Sequence, residues 1–138
     1  MPGLTNWFGI RGEGRMNYLL YSVLLIFVIW MLYKQFAPVK GLRTLTAEQF
    51  QSESKGSKVI DVRESHEYKR GHIKGAVNIP LSQLQQRMSE IPKDRAVLVY
   101  CQSGMRSKQA AKVLGRHGYS NVADLRGGIM SWKGSIQR

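Results

Sequence analysis

Eighteen consecutive residues without a charge, Met16 to Tyr33, constrain this chain more than any other feature. The run reads MNYLLYSVLLIFVIWMLY and has no polar stripe at helical spacing. As a helix it would reach about 27 Å at roughly 1.5 Å per residue, close to the ~30 Å hydrocarbon core of a bilayer. Ten of its residues are Leu, Ile, Val or Phe. At about −0.3 to −0.6 kcal/mol each, they favour insertion by about 3 to 6 kcal/mol. Asn17 and Lys34 stand at the ends of the run, where they can reach headgroups. Tyr18 and Tyr21 at one end, with Trp30 and Tyr33 at the other, resemble two aromatic belts. A core helix this apolar would need a larger protein around it. A cleaved signal peptide would have a shorter apolar stretch, about 7–15 residues, and an A-x-A-like site. Here the stretch ends in KQFAP. We therefore expect an uncleaved single-pass transmembrane helix over residues 16–34, following a tail at 1–15, in a cell membrane.

The rest of the chain has a different composition. Residues 44–138 carry 16 basic and 8 acidic groups, net +8, within a 138-residue chain of net charge +12. Such a surplus suits anionic lipid headgroups or anionic small molecules. No aromatic-interleaved basic stripe accompanies it, so no nucleic acid is expected. One cysteine excludes an internal disulfide framework and a multi-cysteine zinc site. His66, His72 and His117 are scattered, and neither a metal nor a cofactor is expected. Gly12-Glu-Gly14 lacks both a third glycine and a preceding strand, which removes a dinucleotide fingerprint.

Pro38 and Gly41 mark residues 35–41 as a linker. Beyond it, strand and helix patterns alternate over a domain at 42–138. LRTL (42–45) reads as a short strand, and Thr46 to Gln49 has the capping-box pattern that opens a helix. KVIDV (58–62), AVNI (76–79), AVLVY (96–100) and NVADL (121–125) are short apolar runs of buried parallel strands. LSQLQQRM (81–88) and SKQAAKVLGRHG (107–118) read as helical, the second closed by Gly118, and the last residues as a short helix. Alternation of this kind predicts an α/β fold, a parallel sheet flanked by helices on both faces.

Ligands of such sheets bind beyond the carboxyl ends of the strands. Cys101 stands there, directly after AVLVY and before QSGMRS. Gly104 permits a positive φ, so that successive N–H groups can converge on an anion. A helix beginning near Arg106 or Ser107 adds its positive end, and Arg106 a full charge. All three favour a thiolate over a thiol, the requirement of a nucleophilic cysteine. No general base is evident beside it. The candidate site is therefore Cys101 with the loop Gln102, Ser103, Gly104, Met105 and Arg106.

The residues carry a resemblance. Asp61-Val-Arg63-Glu64, Glu67-Tyr68 and Gly71 to Pro80 resemble the N-terminal signature of the rhodanese-like sulfurtransferases. Cys101-Gln-Ser-Gly104-Met-Arg106-Ser107 is similar to that family's active-site loop, and Leu125-Arg-Gly127-Gly128-Ile129 with Trp132 to its C-terminal signature. The blocks stand in family order over essentially all of 42–138, leaving 1–41 outside. The resemblance implies a five-stranded parallel sheet and a Cys101 that cycles through a persulfide. It would take sulfur from a small anionic donor such as thiosulfate and pass it to cyanide, a thiol or a protein-persulfide acceptor. Arg106 would suit the anionic donor, while Asp61, Arg63 and Glu67 read as structural pairing at the loop base. Phosphatases and arsenate reductases of related architecture place five residues between Cys and Arg. Here there are four, which favours sulfur transfer. The alternative is a membrane-tethered binding or redox-sensing module without turnover. Three basic residues follow the apolar run (Lys34, Lys40, Arg43) and two precede it (Arg11, Arg15), so the catalytic domain is expected in the cytoplasm.

Overall fold

The computed structural model describes residues 10–37 and 41–138 in two compact units. Residues 1–9 of the expected tail and 38–40 of the expected linker lie outside the described residues.

The first unit is one helix, α1 (Ile10–Phe36), which runs past both ends of the uncharged stretch. Its portion Gly14–Phe36, 23 residues, is long and apolar enough to cross a membrane. Every side chain from Arg15 to Phe36 is exposed. The Ser22 hydroxyl donates to the Tyr18 carbonyl at 2.8 Å, so its proton is satisfied within the helix. Lys34 lies over the Trp30 ring at 4.7 Å.

The second unit is an α/β domain. Strands β1 (Leu42–Leu45), β2 (Lys58–Asp61), β4 (Val77–Asn78), β5 (Val97–Tyr100) and β6 (Val122–Leu125) form one sheet in the order β1-β6-β5-β2-β4. All four pairings are parallel. Each residue of β5 and β6 is buried, as strands covered on both faces require. Side chains alternate between the two faces. Val97 and Val99 join one apolar cluster with Ala110, Ala111 and Leu114 of α4 (Met105–Arg116). Leu98 and Tyr100 join the other with Phe50 of α2 (Ala47–Ser54). Phe50 stands edge-on to Tyr100 and to Trp132, ring centres 6.3 and 5.9 Å apart. The helix carrying Phe50 begins where the capping box placed it. Gln49 N–H donates to the Thr46 hydroxyl at 3.3 Å, and Thr46 N–H to the Gln49 side chain at 3.0 Å.

Gly118 follows the cap residue His117 of α4 at φ +90. Tyr119 N–H then reaches back to the Leu114 carbonyl and Gly118 N–H to Gly115, a Schellman ending.

Two expectations are corrected. LSQLQQRM is not an α-helix: it forms two single 3-10 turns, Leu81–Gln83 and Met88–Glu90. Leu81 with Leu84, and Met88 with Ile91, are each three apart, the period of a 3-10 turn. Nor does the chain end in an α-helix. After a 3-10 turn at Gly128–Ser131, β7 (Ile136–Gln137) pairs antiparallel with β3 (His72–Ile73). Between β2 and β3 lies a helix the sequence reading did not assign, α3 (Ser65–Arg70).

Candidate active site

The most apolar strand, β5, delivers Cys101 to the carboxyl edge of the sheet, where it is 1% exposed. The chain then turns through Gln102 and Ser103 to Gly104, at φ +106, which caps α4. The glycine pair Gly127–Gly128 closes the loop from behind. Ile129 N–H donates to the Cys101 carbonyl at 2.9 Å and Met130 N–H to the Gln102 carbonyl at 3.3 Å. With those carbonyls held outward, the loop's N–H groups face the sulfur. Gly104 N–H donates to Cys101 Sγ at 3.1 Å. Gly128, at φ +64, makes that approach possible. A Cβ there would stand 2.6 Å from the Cys101 carbonyl oxygen and 2.5 Å from the Gln102 carbonyl carbon.

Burial works against ionising the thiol. The Ser107 hydroxyl and the N–H groups of Ser107, Gly104 and Ser103 outweigh it, and the thiol lies below its ordinary value. The N-terminus of α4 points its positive end at the same atom.

Arg106 is not a free cation. Its guanidinium donates both ways to Glu67, at 2.7 and 2.9 Å, a bidentate pair. That pairing leads in holding the Glu67 carboxyl at about 2, opposed by burial and helped by Glu64 N–H. Beneath it, Arg63 is buried with Asp61, 2.7 Å away. Arg63 also donates to the Gly71 carbonyl at 2.7 Å and to the Gln102 side chain at 3.3 Å, tying the loop to the end of β2. Asp61, Arg63 and Glu67 thus brace the loop. Gln102 and Ser103 are exposed, and Met105 is 74% exposed, directed at solvent.

Beside the loop opens a cleft of about 420 Å³, lined by Arg63, Glu67, Arg70, Gly71, Gln102 and Ile129. Arg70 has no acidic partner among the described residues, so it is the cleft's uncompensated charge. Among the described residues no three His, Cys, Asp or Glu side chains gather as metal ligands.

Two further residues at the site were not among its candidates. Ser107 is buried with its hydroxyl 3.6 Å from the sulfur, and Asp124 of β6 is buried behind it. Ser107 was visible as the residue after Arg106. Asp124 was visible as one acid in an otherwise apolar strand.

Comparison with known proteins places this geometry. A model of the rhodanese-like domain matches residues 46–135. The Bacillus subtilis protein YqhL, described as uncharacterized, is 40% identical over 121 residues, covering 88% of this chain and 96% of YqhL. Residues 42–138 number only 97, so that match extends at least 24 residues into the segment before them. A sulfurtransferase of Allochromatium vinosum is 47% identical over 74 residues, 54% of this chain and 69% of that one. Among solved structures, a rhodanese-related protein from Thermoplasma volcanium superposes with a TM-score of 0.65 at 33% identity. It covers 69% of this chain and 97% of its own.

Proposed function

This chain belongs to the rhodanese-like domain family, and we propose that it works as a membrane-anchored sulfurtransferase carrying sulfane sulfur on Cys101. The observation that carries the reading is the Gly104 N–H aimed at Cys101 Sγ from 3.1 Å, in a loop of converging N–H groups. The Cys101 thiolate attacks the outer sulfur of thiosulfate or of a persulfide donor. A bond forms between the two sulfurs, and the donor's S–S bond breaks with its electron pair leaving on sulfite or thiolate. The resulting Cys101 persulfide is anionic, and the same N–H groups stabilise it as an oxyanion hole stabilises oxygen. An acceptor thiolate or cyanide then attacks the outer sulfur and returns Cys101 to the thiolate. Neither half-reaction needs an external oxidant or reductant. Because Arg106 is neutralised by Glu67, the donor's charge is met by the loop N–H groups and by Arg70 in the cleft.

The apolar helix α1 supports anchoring to a lipid membrane by a single pass, and the basic residues flanking it support a cytoplasmic domain. Mass spectrometry after thiosulfate treatment tests the chemistry. One added sulfur on Cys101, absent from Cys101→Ser, is the expected result. A Cys101 that takes up oxygen from peroxide but never sulfur from thiosulfate would establish the sensing module instead.

A further inference from the structure

Sulfur transfer as drawn starts from a thiolate, yet Cys101 at 1% exposure has almost no water to receive its proton. A polar line leads inward from it. Cys101 Sγ donates to Ser107 Oγ at 3.6 Å, and Ser107 Oγ lies 3.5 Å from Asp124 Oδ2. The other carboxyl oxygen of Asp124 is fixed by the Thr44 hydroxyl, which donates to Oδ1 at 2.7 Å. Asp124 is fully buried in the apolar strand β6, and no ion pair explains its presence among the described residues. A carboxyl in such a place, held by two hydroxyls, one of them touching the nucleophile, is otherwise an expensive residue.

We infer that Asp124, acting through Ser107, is the internal acceptor of the Cys101 proton. The S–H proton passes to Ser107 Oγ as the Ser107 hydroxyl proton passes to Asp124 Oδ2. The S–H bond and the serine O–H bond break, a new serine O–H and a carboxyl O–H form, and the net charge of the line is unchanged. Ser107 then donates to a thiolate. Before the transfer its hydrogen is also within reach of the Gly104 carbonyl at 3.1 Å. Afterwards the protonated Asp124 donates to Ser107 and keeps that hydrogen on the sulfur. Asp124 does not touch substrate and is a positioning residue.

The charged and titratable groups on the surrounding elements are engaged elsewhere. On α4, Arg106 is bound to Glu67 and Lys108 is exposed. On β1, Arg43 is bound to Glu53 and Asn121. On β2, Asp61 is bound to Arg63. On β5, the Tyr100 hydroxyl accepts Ile73 N–H on the opposite face.

A shared proton leaves a signature: over the pH range in which the line holds one proton, the thiolate fraction does not change. This rests on the Cys101 chemistry proposed above, but alkylation uses no sulfur donor and tests it separately. The full-length protein in detergent, whose only cysteine is Cys101, is treated with iodoacetamide from acid to alkaline pH. The wild-type rate is expected to rise in two steps separated by a plateau. Asp124→Asn preserves the shape but cannot accept a proton. Its rate should change about tenfold per pH unit up to one ionisation. Ser107→Ala, with Asp124 in place, should also give one step, which keeps the test available if Asp124→Asn fails to fold. A single step in wild type, or a plateau that survives either substitution, would overturn the inference. Sulfur loading without the plateau removes only the relay, and a plateau without loading removes only the transferase reading.

Discussion

Gly128→Ala tests how tightly the loop is held from behind, because two separate effects meet at that position. The first is the backbone: at φ +64, an alanine costs about 1–2 kcal/mol relative to glycine. The second is contact. The new Cβ would crowd the Gln102 carbonyl oxygen most closely and stand 2.6 Å from the Cys101 carbonyl oxygen, where ordinary contact begins at 3.4 Å, so one segment must retreat by roughly 1 Å. That retreat stretches the bonds from Ile129 and Met130 N–H to the Cys101 and Gln102 carbonyls, each worth about 1 kcal/mol. The expected loss is about 3–4 kcal/mol in stability. Moving the nucleophile by the same distance should lower sulfur transfer on the order of a hundredfold. Gly56→Ala is the control. It shares the positive φ, at +83, but its Cβ meets nothing within 4 Å. It should therefore cost only the backbone part, about 1–2 kcal/mol, and leave transfer unchanged. Urea unfolding followed by circular dichroism gives the stabilities, and thiosulfate-to-cyanide transfer under folding conditions gives the activities. If both variants lose the same stability, or Gly128→Ala turns over like wild type, the close backbone approach does not position Cys101.

Arg63→Leu removes the partner of a fully buried Asp61 and should destabilise the domain by about 3–5 kcal/mol in denaturant unfolding; a loss under about 1 kcal/mol would show that the pair is dispensable. Glu67 is held at about 2, below its ordinary 4.5, so its pairing with Arg106 stabilises the fold above pH 4.5 and is lost as pH falls towards 2. With solvent partly screening the pair, Glu67→Gln should remove about 1 kcal/mol of this acid dependence, read as a flatter curve of stability against pH. The same variant frees Arg106 and should lower KM for thiosulfate; an unchanged KM would place the donor away from Arg106. For topology, a membrane-impermeant maleimide should label Cys101 only after lysis, and strong labelling of intact cells would put the domain outside.

The parts legible in sequence were those set by local period or local chemistry. Short apolar runs marked the strands, and Thr46 with Gln49 marked the start of α2 because a capping box closes within three residues. The loop was legible from Cys101, Gly104 and Arg106 because all its N–H groups come from adjacent residues. What could not be read depends on partners far along the chain. Glu67 neutralises Arg106, and Arg63 reaches Gln102, each across 39 positions. Ile136 and Gln137 form a strand only because His72 and Ile73 offer an edge. LSQLQQRM looks helical because Leu81, Leu84 and Met88, three and four apart, also fit a 3.6-residue period.

The depth at which Cys101 sits bears on when the protein is open for business with its surroundings. At 1% exposure the bare sulfur presents almost no surface to a bulky acceptor thiol. A persulfide adds one S–S bond, about 2 Å, between the buried atom and the one that reacts. In the proposed cycle, cargo itself therefore carries the reactive atom outward: a loaded site displays its sulfur to an acceptor, and an empty one withdraws. Visibility becomes a property of occupancy, achieved with no moving part.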